Sequence, residues 1–559
     1  MLGNPRNSTA RSMALAVCCL AVCGCRVVAQ NSEPSYKFTG QHRVSGTVVS
    51  KVDGHALGRV RVTLADTRDT QKVQVIVTAE DGRFVFPAVP AGKFSLSGMK
   101  RGFIPAAYDQ HDQFSTAIVT GAGLDTEHLV LKLAPNGVIY GNVLDEVGEP
   151  VRSAKVTLYV DDHSEGVDKI REAQTVITND LGAYEMLSLR PGTYYLSATG
   201  KPWYAVSPPS DAGGAGSRNG VKDVANVDRS LDVAYPVTYY PDVTDSESAT
   251  PIPVKGGERL EVDIQLNPVP ALRLRFHMIG DQEHGYASPL FEQHSFDGST
   301  VINPTNIAMV SPGVMEVDGI PAGRYDVRLQ GPNAGMQVSG VDITTEGQQL
   351  DTSTAEAFST VKMNVQAAEL GKPGTLVAGL RSHGRTGMRA ARVDEKGEAE
   401  VQQVPAGEYE VILFSRGRHY SISRISAEGA EVTGRRVTIT AGSTPSISVT
   451  ALVGSVVVEG VAKRAGKPFA GAMVVLVPKD VEGNHDLFRR DQSDLDGTFS
   501  LQDVAPGSYT LVAIENGWDL DWSQPGVIAV YAKHGRGIQV TNTPGKALRV
   551  DAPVDVVSK

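Results

Sequence analysis

Few residues in this chain have the types and spacing to do chemistry. None of its twelve histidines begins His-x-x-Glu or His-Glu-x-x-His, the helical patterns that hold zinc in peptidases. A Gly-x-Ser-x-Gly nucleophile elbow is missing, and so is a Gly-x-x-x-x-Gly-Lys-Ser/Thr phosphate loop. Asp491, Asp494 and Asp496 precede Gly497 and offer hard oxygens of the kind calcium takes, but no closing Glu completes a 12-residue calcium loop. Asp before Gly is also ordinary turn chemistry. The remaining candidates are aromatic: Phe103, Trp203 and Trp518, with Tyr204 and Trp522 close by, follow strands and sit beside Gly102, Pro202 and Gly517. Such loop rings stack on sugars or anchor a protein partner when exposed, and plug the end of a sandwich when not. No enzyme activity and no cofactor are expected.

The elements that carry these loops repeat. A Gly, an apolar residue two later, a Gly ten after the first and an aromatic ten after the apolar residue recur five times. The sets are Gly82, Phe84, Gly92, Phe94; Gly182, Tyr184, Gly192, Tyr194; Gly313, Met315, Gly323, Tyr325; Gly397, Ala399, Gly407, Tyr409; and Gly497, Phe499, Gly507, Tyr509. Pro90, Pro191, Pro321, Pro405 and Pro506 precede the second glycines and mark turn corners. Even offsets along a strand keep residues on one face, so the aromatics are expected in a sandwich core. The second glycines lie 100, 131, 84 and 100 residues apart, which sets a unit of domain size.

Units one, two and five also share an opening: Gly46 with Val48, Gly141 with Val143 and Gly460 in Val458–Val461, each followed by a Gly turn and an alternating strand. Units three and four lack it, so their first halves are expected to have diverged. Short linkers such as 133–137 predict a stiff linear array of beads. No amphipathic helix is expected.

Hydrophobic content is 41% with 58 Gly and 31 Pro, which suits short strands joined by turns. A net charge of −10 without a basic run argues against nucleic acid. All four cysteines fall in the first 25 residues, within a segment where Arg6 and Arg11 precede an apolar run from Met13 to Val22. That reads as a secretory signal cleaved after Ala29; the rival is a lipoprotein signal to residue 24 with Cys25 lipidated. The mature chain is then expected to have no disulfide and no membrane span.

Gly-x-Val, Gly-x-Pro with Ala-x-Val, Asp-Gly-x-Phe and Pro-Gly-x-Tyr together resemble the carboxypeptidase regulatory-like domain. The resemblance implies a transthyretin-like, immunoglobulin-like seven-stranded sandwich, similar also to the B-type repeats of collagen-binding adhesins and to carbohydrate-binding-like folds. The adhesin likeness raises a covalent Lys–Asn crosslink, whose residues the sequence does not place. An all-β tandem array follows: signal 1–29, sandwiches at 38–134, 135–268 (with a mobile loop 202–228), 269–355 and 356–450 (both divergent), and 451–556. The function expected is a non-enzymatic, exported cell-envelope scaffold or adhesion-type binding module, periplasmic, outer-membrane-associated or secreted, whose partner is a protein or polysaccharide. The alternatives are a carbohydrate-binding protein using the loop aromatics, and an accessory subunit of a separate peptidase or outer-membrane transporter.

Overall fold

Alternation decides the fold. In His42–Ser50, Val44 and Val48 are buried while Arg43 is exposed, and in Arg83–Val89 the buried residues are Phe84, Phe86 and Val89. Period-2 patterns of this kind make strands with one dry face, which two sheets must cover for each other. The computed structural model describes residues 36–206, 228–277, 288–311, 314–330, 335–350, 355–367, 376–382, 388–415, 420–453, 456–481, 487–541 and 546–559. The leader with Cys25, positions 207–227 of the expected loop and Gly313 lie outside the described residues.

Unit one sets the pattern. His42–Ser50 pairs antiparallel with Arg83–Val89 and parallel with Leu129–Leu133. The facing sheet runs Val73–Val77, Arg61–Asp66, Gly92–Met99 and Ala106–Ala107, with Ile118–Thr120 also on Gly92–Met99. Between them lie Val48, Val62, Leu64, Phe86, Phe94, Leu96 and Leu131. Unit two repeats this arrangement with Gly137–Leu144 between Ala183–Leu189 and Arg259–Glu261, and Lys155–Asp162 between Lys169–Ile177 and Gly192–Thr199.

Units three and four keep the opening strand that the sequence hides. Leu272–His277 pairs with Val314–Ile320, and Ser359–Ala367 lies between Glu398–Val404 and Ser446–Val453. Their inward residues are Leu272, Leu274 and Phe276 in one and Val361, Met363 and Val365 in the other. The expected divergence therefore affects the Gly-x-Val signature and leaves the strand intact. In unit five, Val554–Ser558 runs parallel to both Val456–Arg464 and Gly507–Glu515, which joins its two sheets into one nine-stranded sheet. The chain is thus all-β, five sandwich units in series. One α-helix appears among the described residues, the eight-residue Pro525–Ala532, apolar nearly throughout with Ile528 buried.

The recurring frame has two distinct jobs. Its first glycine turns the chain: Gly497 has φ of +77°, and a Cβ there would lie 2.5 Å from the Ala462 carbonyl oxygen. The second glycine makes room for a ring, since a Cβ at Gly507 would sit 3.2 Å from the Tyr509 ring. Tyr509 folds back over that glycine and donates its hydroxyl to the Ala505 carbonyl at 2.9 Å. Tyr194, Tyr325 and Tyr409 do the same to Arg190, Pro321 and Pro405, each at 2.8 Å. All four rings are buried, so the polar tip needs that carbonyl.

The linear array expected from short linkers does not form. Unit five comes back onto units one and two, because its edge strand Arg489–Gln492, the turn after it and the loop 516–524 carry groups complementary to both.

Candidate functional site

Polar side chains from distant parts of the sequence converge at this three-unit junction. At its unit-one side, Asp494 Oδ2 meets Lys93 Nζ at 2.5 Å, and Asp496 Oδ1 lies 3.8 Å from the same nitrogen. Lys93 also donates to the Thr498 hydroxyl. Asp494 Oδ1 accepts the Ala117 N–H at 3.0 Å, while the Leu495 N–H donates to the Ala117 carbonyl at 3.1 Å. Leu495 then lies against the unit-one core. The acidic run thus does face a cation, the ammonium of Lys93. Burial raises the Asp494 carboxyl above the usual range despite that ammonium, and burial pushes Asp491 up to about 6 although it accepts the Ser500 N–H at 2.6 Å.

Two residues on the edge strand fill the middle of the junction. Gln492, fully buried, donates through Nε2 to the Asp109 carbonyl at 2.6 Å and the Thr116 hydroxyl at 2.7 Å, and its Oε1 lies 3.1 Å from His111 Nδ1. Arg490 is nearly buried and spans both neighbouring units. Its Nη2 donates to Asp112 Oδ2 of unit one at 3.2 Å and to the Ser164 carbonyl of unit two at 2.9 Å. Its guanidinium lies over the rings of Trp522 (4.3 Å), Phe114 (5.3 Å) and Trp518 (5.8 Å). Burial lowers the Arg490 pKa, with Asp112 acting the other way.

The five loop aromatics divide three ways. Trp518 stacks on His111 at 5.0 Å with the planes 6° apart and tilts against Phe114 at 5.8 Å. Trp522 is buried, edge-on to Phe488, and a Cβ at Gly166 of unit two would lie 2.5 Å from its ring. Both therefore seal the inter-unit contact; their indole N–H groups and the Ser523 hydroxyl have no hydrogen-bond partner. Phe103 packs at the end of its own sandwich, where it bridges Pro135. Trp203 differs, being 81% exposed and set edge-on to Tyr204 at 5.9 Å. Tyr204 donates its hydroxyl to Glu146, which also accepts from Tyr235 at 3.3 Å.

Toward unit two, His163 Nδ1 lies 2.5 Å from Asp168 Oδ1 and 3.5 Å from Asp521 Oδ1, and its Nε2 lies 2.6 Å from the Leu520 carbonyl. These three side chains hold ligand-type atoms within 4.8 Å of one another. Two ligands of one tetrahedral ion with bonds near 2.05 Å stand about 3.3 Å apart, so the 2.5 Å spacing is that of a hydrogen bond. The cluster is an ion-paired imidazole. Burial pulls the His163 pKa down, but the Leu520 carbonyl and Asp168 together leave it raised.

Sequence reasoning missed His163, Arg490, Gln492 and Lys93. Their inter-unit partners lie 357, 383, 378 and 401 positions away for His163, Gln492, Arg490 and Lys93, beyond any local pattern.

Residues 43–123 match the carboxypeptidase regulatory-like domain, so unit one carries that domain. No curated protein matches the chain. Solved structures with a similar β architecture include the Bacillus anthracis TIE protein, at 10% identity over 92% of this chain and 73% of that one (TM-score 0.16). The full-length major pilin RrgB of Streptococcus pneumoniae is 8% identical over 92% of this chain and 99% of that one (TM-score 0.17). The minor pilin GBS52 of Streptococcus agalactiae is 13% identical over 41% of this chain and 97% of that one (TM-score 0.20). At these scores the likenesses say nothing of function here.

Proposed function

We propose that this chain is an exported, non-enzymatic scaffold of the cell envelope, an adhesion-type binding module built from β-sandwiches. One observation supports the reading above others. The polar groups gathered from distant parts of the sequence, Lys93, His163, Arg490, Gln492 and Asp494, are engaged in fixing one unit to another rather than in lining a cleft. Such use suits a protein whose work is to hold shape and present surface. Among the described residues no helix is long and apolar enough to cross a membrane. Affinity capture from envelope fractions, together with mass analysis of the mature N-terminus, tests the proposal. A surface protein or polysaccharide partner is expected. Peptide hydrolysis by the purified chain alone would overturn it.

A carbohydrate-binding reading draws on Trp203, the most exposed large apolar residue of the described chain, with Tyr204 held edge-on beside it. An exposed indole face is a stacking platform for a sugar ring. Screening a glycan array with the wild type and Trp203→Ala decides this reading. Binding that survives the substitution removes the platform from consideration. A peptidase or barrel protein as the chief captured partner would instead support the accessory-subunit alternative.

A further inference from the structure

The His163 cluster carries an inference beyond that function. Both ring nitrogens face acceptors: Nε2 the Leu520 carbonyl, Nδ1 the carboxylates of Asp168 and Asp521. A carbonyl oxygen cannot donate, so Nε2 must carry a proton. Nδ1 lies at hydrogen-bond distance from an acid and must carry one too if that acid is ionised. The doubly protonated ring also stands between two carboxylates, Asp168 from unit two and Asp521 from unit five, that docking brings together. We propose that His163 is a proton-operated pin that fastens unit five to unit two, and that loss of its proton releases the 516–524 loop and uncovers Trp518 and Trp522.

The surrounding charges favour this behaviour. From unit two, Asp161 and Asp168 face the ring, while Asp162 is paired with Arg171 and Glu165 with Lys169. Asp297 of unit three adds negative potential at Asp161. From unit five come Asp521, Asp519 (paired with Lys559 at 2.5 Å) and Arg490, whose guanidinium binds the Ser164 carbonyl. Arg490 remains charged throughout the range in which His163 titrates, so its contribution to docking is the same in both states and the pH dependence comes from the ring. The sign follows from the raised pKa. Docking gains its full strength below about 6.5, the value of a free imidazole, and loses it as pH rises through the higher value of the docked ring. Deprotonation leaves the neutral Nε2–H bond to Leu520 in place but removes the positive charge that strengthens it and that stands between Asp168 and Asp521 across the contact, which shifts the docking equilibrium by roughly 10-fold or more.

Tryptophan quenching reads this directly. In the full chain carrying Trp203→Phe, all indole fluorescence comes from Trp518 and Trp522. Acrylamide quenching is measured from pH 5.5 to 9, with far-UV circular dichroism to confirm that the sandwiches stay folded. Low quenching at pH 6, rising through a single transition above 6.5, is the expected result. His163→Gln should quench strongly at every pH, and His163→Lys, charged across the range, should restore protection at pH 8.5. A flat wild-type profile overturns the proposal, as does an unchanged transition in His163→Gln. Loss of protection on adding EDTA at pH 6 overturns it as well, since the pin would then be a metal ion.

Discussion

Lys93→Met tests whether the unit-one contact holds the closed arrangement. The substitution keeps the aliphatic stem and removes the cation that lies 2.5 Å from Asp494 and 3.8 Å from Asp496. What remains is a carboxylate 18% exposed, still bonded to the Ala117 N–H but without its counter-charge. Breaking a fully buried pair costs about 3–5 kcal/mol; Lys93 is 30% exposed, so about 2 kcal/mol is expected here. Units one and five together are about 200 residues, for which that loss lowers Tm by about 4–8 °C at pH 7.5. Acid should shrink the effect. Asp494 already has a raised pKa, and a protonated carboxyl needs no ammonium, so the penalty fades as pH falls through that value. Differential scanning calorimetry of the full chain at pH 7.5 and pH 4.5 gives both numbers, and the cycle with Asp494→Asn isolates the pair. A Tm loss equal at the two pH values, or a coupling in the cycle below about 0.5 kcal/mol, would refute the reasoning.

Three further outcomes are expected. Trp518→Ala removes the ring held by His111, Phe114 and Arg490 and should cost about 2–3 kcal/mol of docking, whereas Trp518→Phe stays within about 1 because the indole N–H has no partner; acrylamide quenching of Trp522 in a Trp203→Phe background measures both. Asp491→Asn should stabilise unit five by about 2–3 kcal/mol above pH 6 and by nothing below pH 3.8, because the folded carboxyl is raised from 3.8 to about 6 and only its charged form is penalised; thermal melts across pH 3.5–8 show the divergence. Tyr509→Phe deletes the hydroxyl on the Ala505 carbonyl and should lower the stability of unit five by about 1 kcal/mol in a denaturant melt, with no new cavity.

Local rules made the sandwiches readable and stopped at their edges. Gly497 with Phe499, and Gly507 with Tyr509, lie within one turn-strand-turn segment, so the physics linking them is near in sequence as well as in space. The hydroxyl-to-carbonyl bond of Tyr509 is equally local, yet a Phe at position 94 fills the same core place without it, so the frame alone reports burial and hides the bond. In units three and four the opening strands carry no Gly-x-Val, but Val361, Met363 and Val365 still alternate inward; a signature search fails there and a period-2 search succeeds. The Pro525–Ala532 helix escapes either search because it is apolar on every side. The sequence puts Trp518 and Trp522 beyond a strand, beside Gly517, and says nothing of what surrounds them. Nothing near residue 520 announces that His111 and Gly166 will be its neighbours.

The strand Val554–Ser558, which joins both sheets of unit five, comes after all the strands of units one and two in sequence. During synthesis, units one and two therefore have time to fold before the piece that docks on them is finished. Unit five meets a surface already made, with Asp109, Thr116 and Ser164 in place to receive it. Closure of the chain is in this sense an internal act of recognition, and its timing is written in the order of the residues.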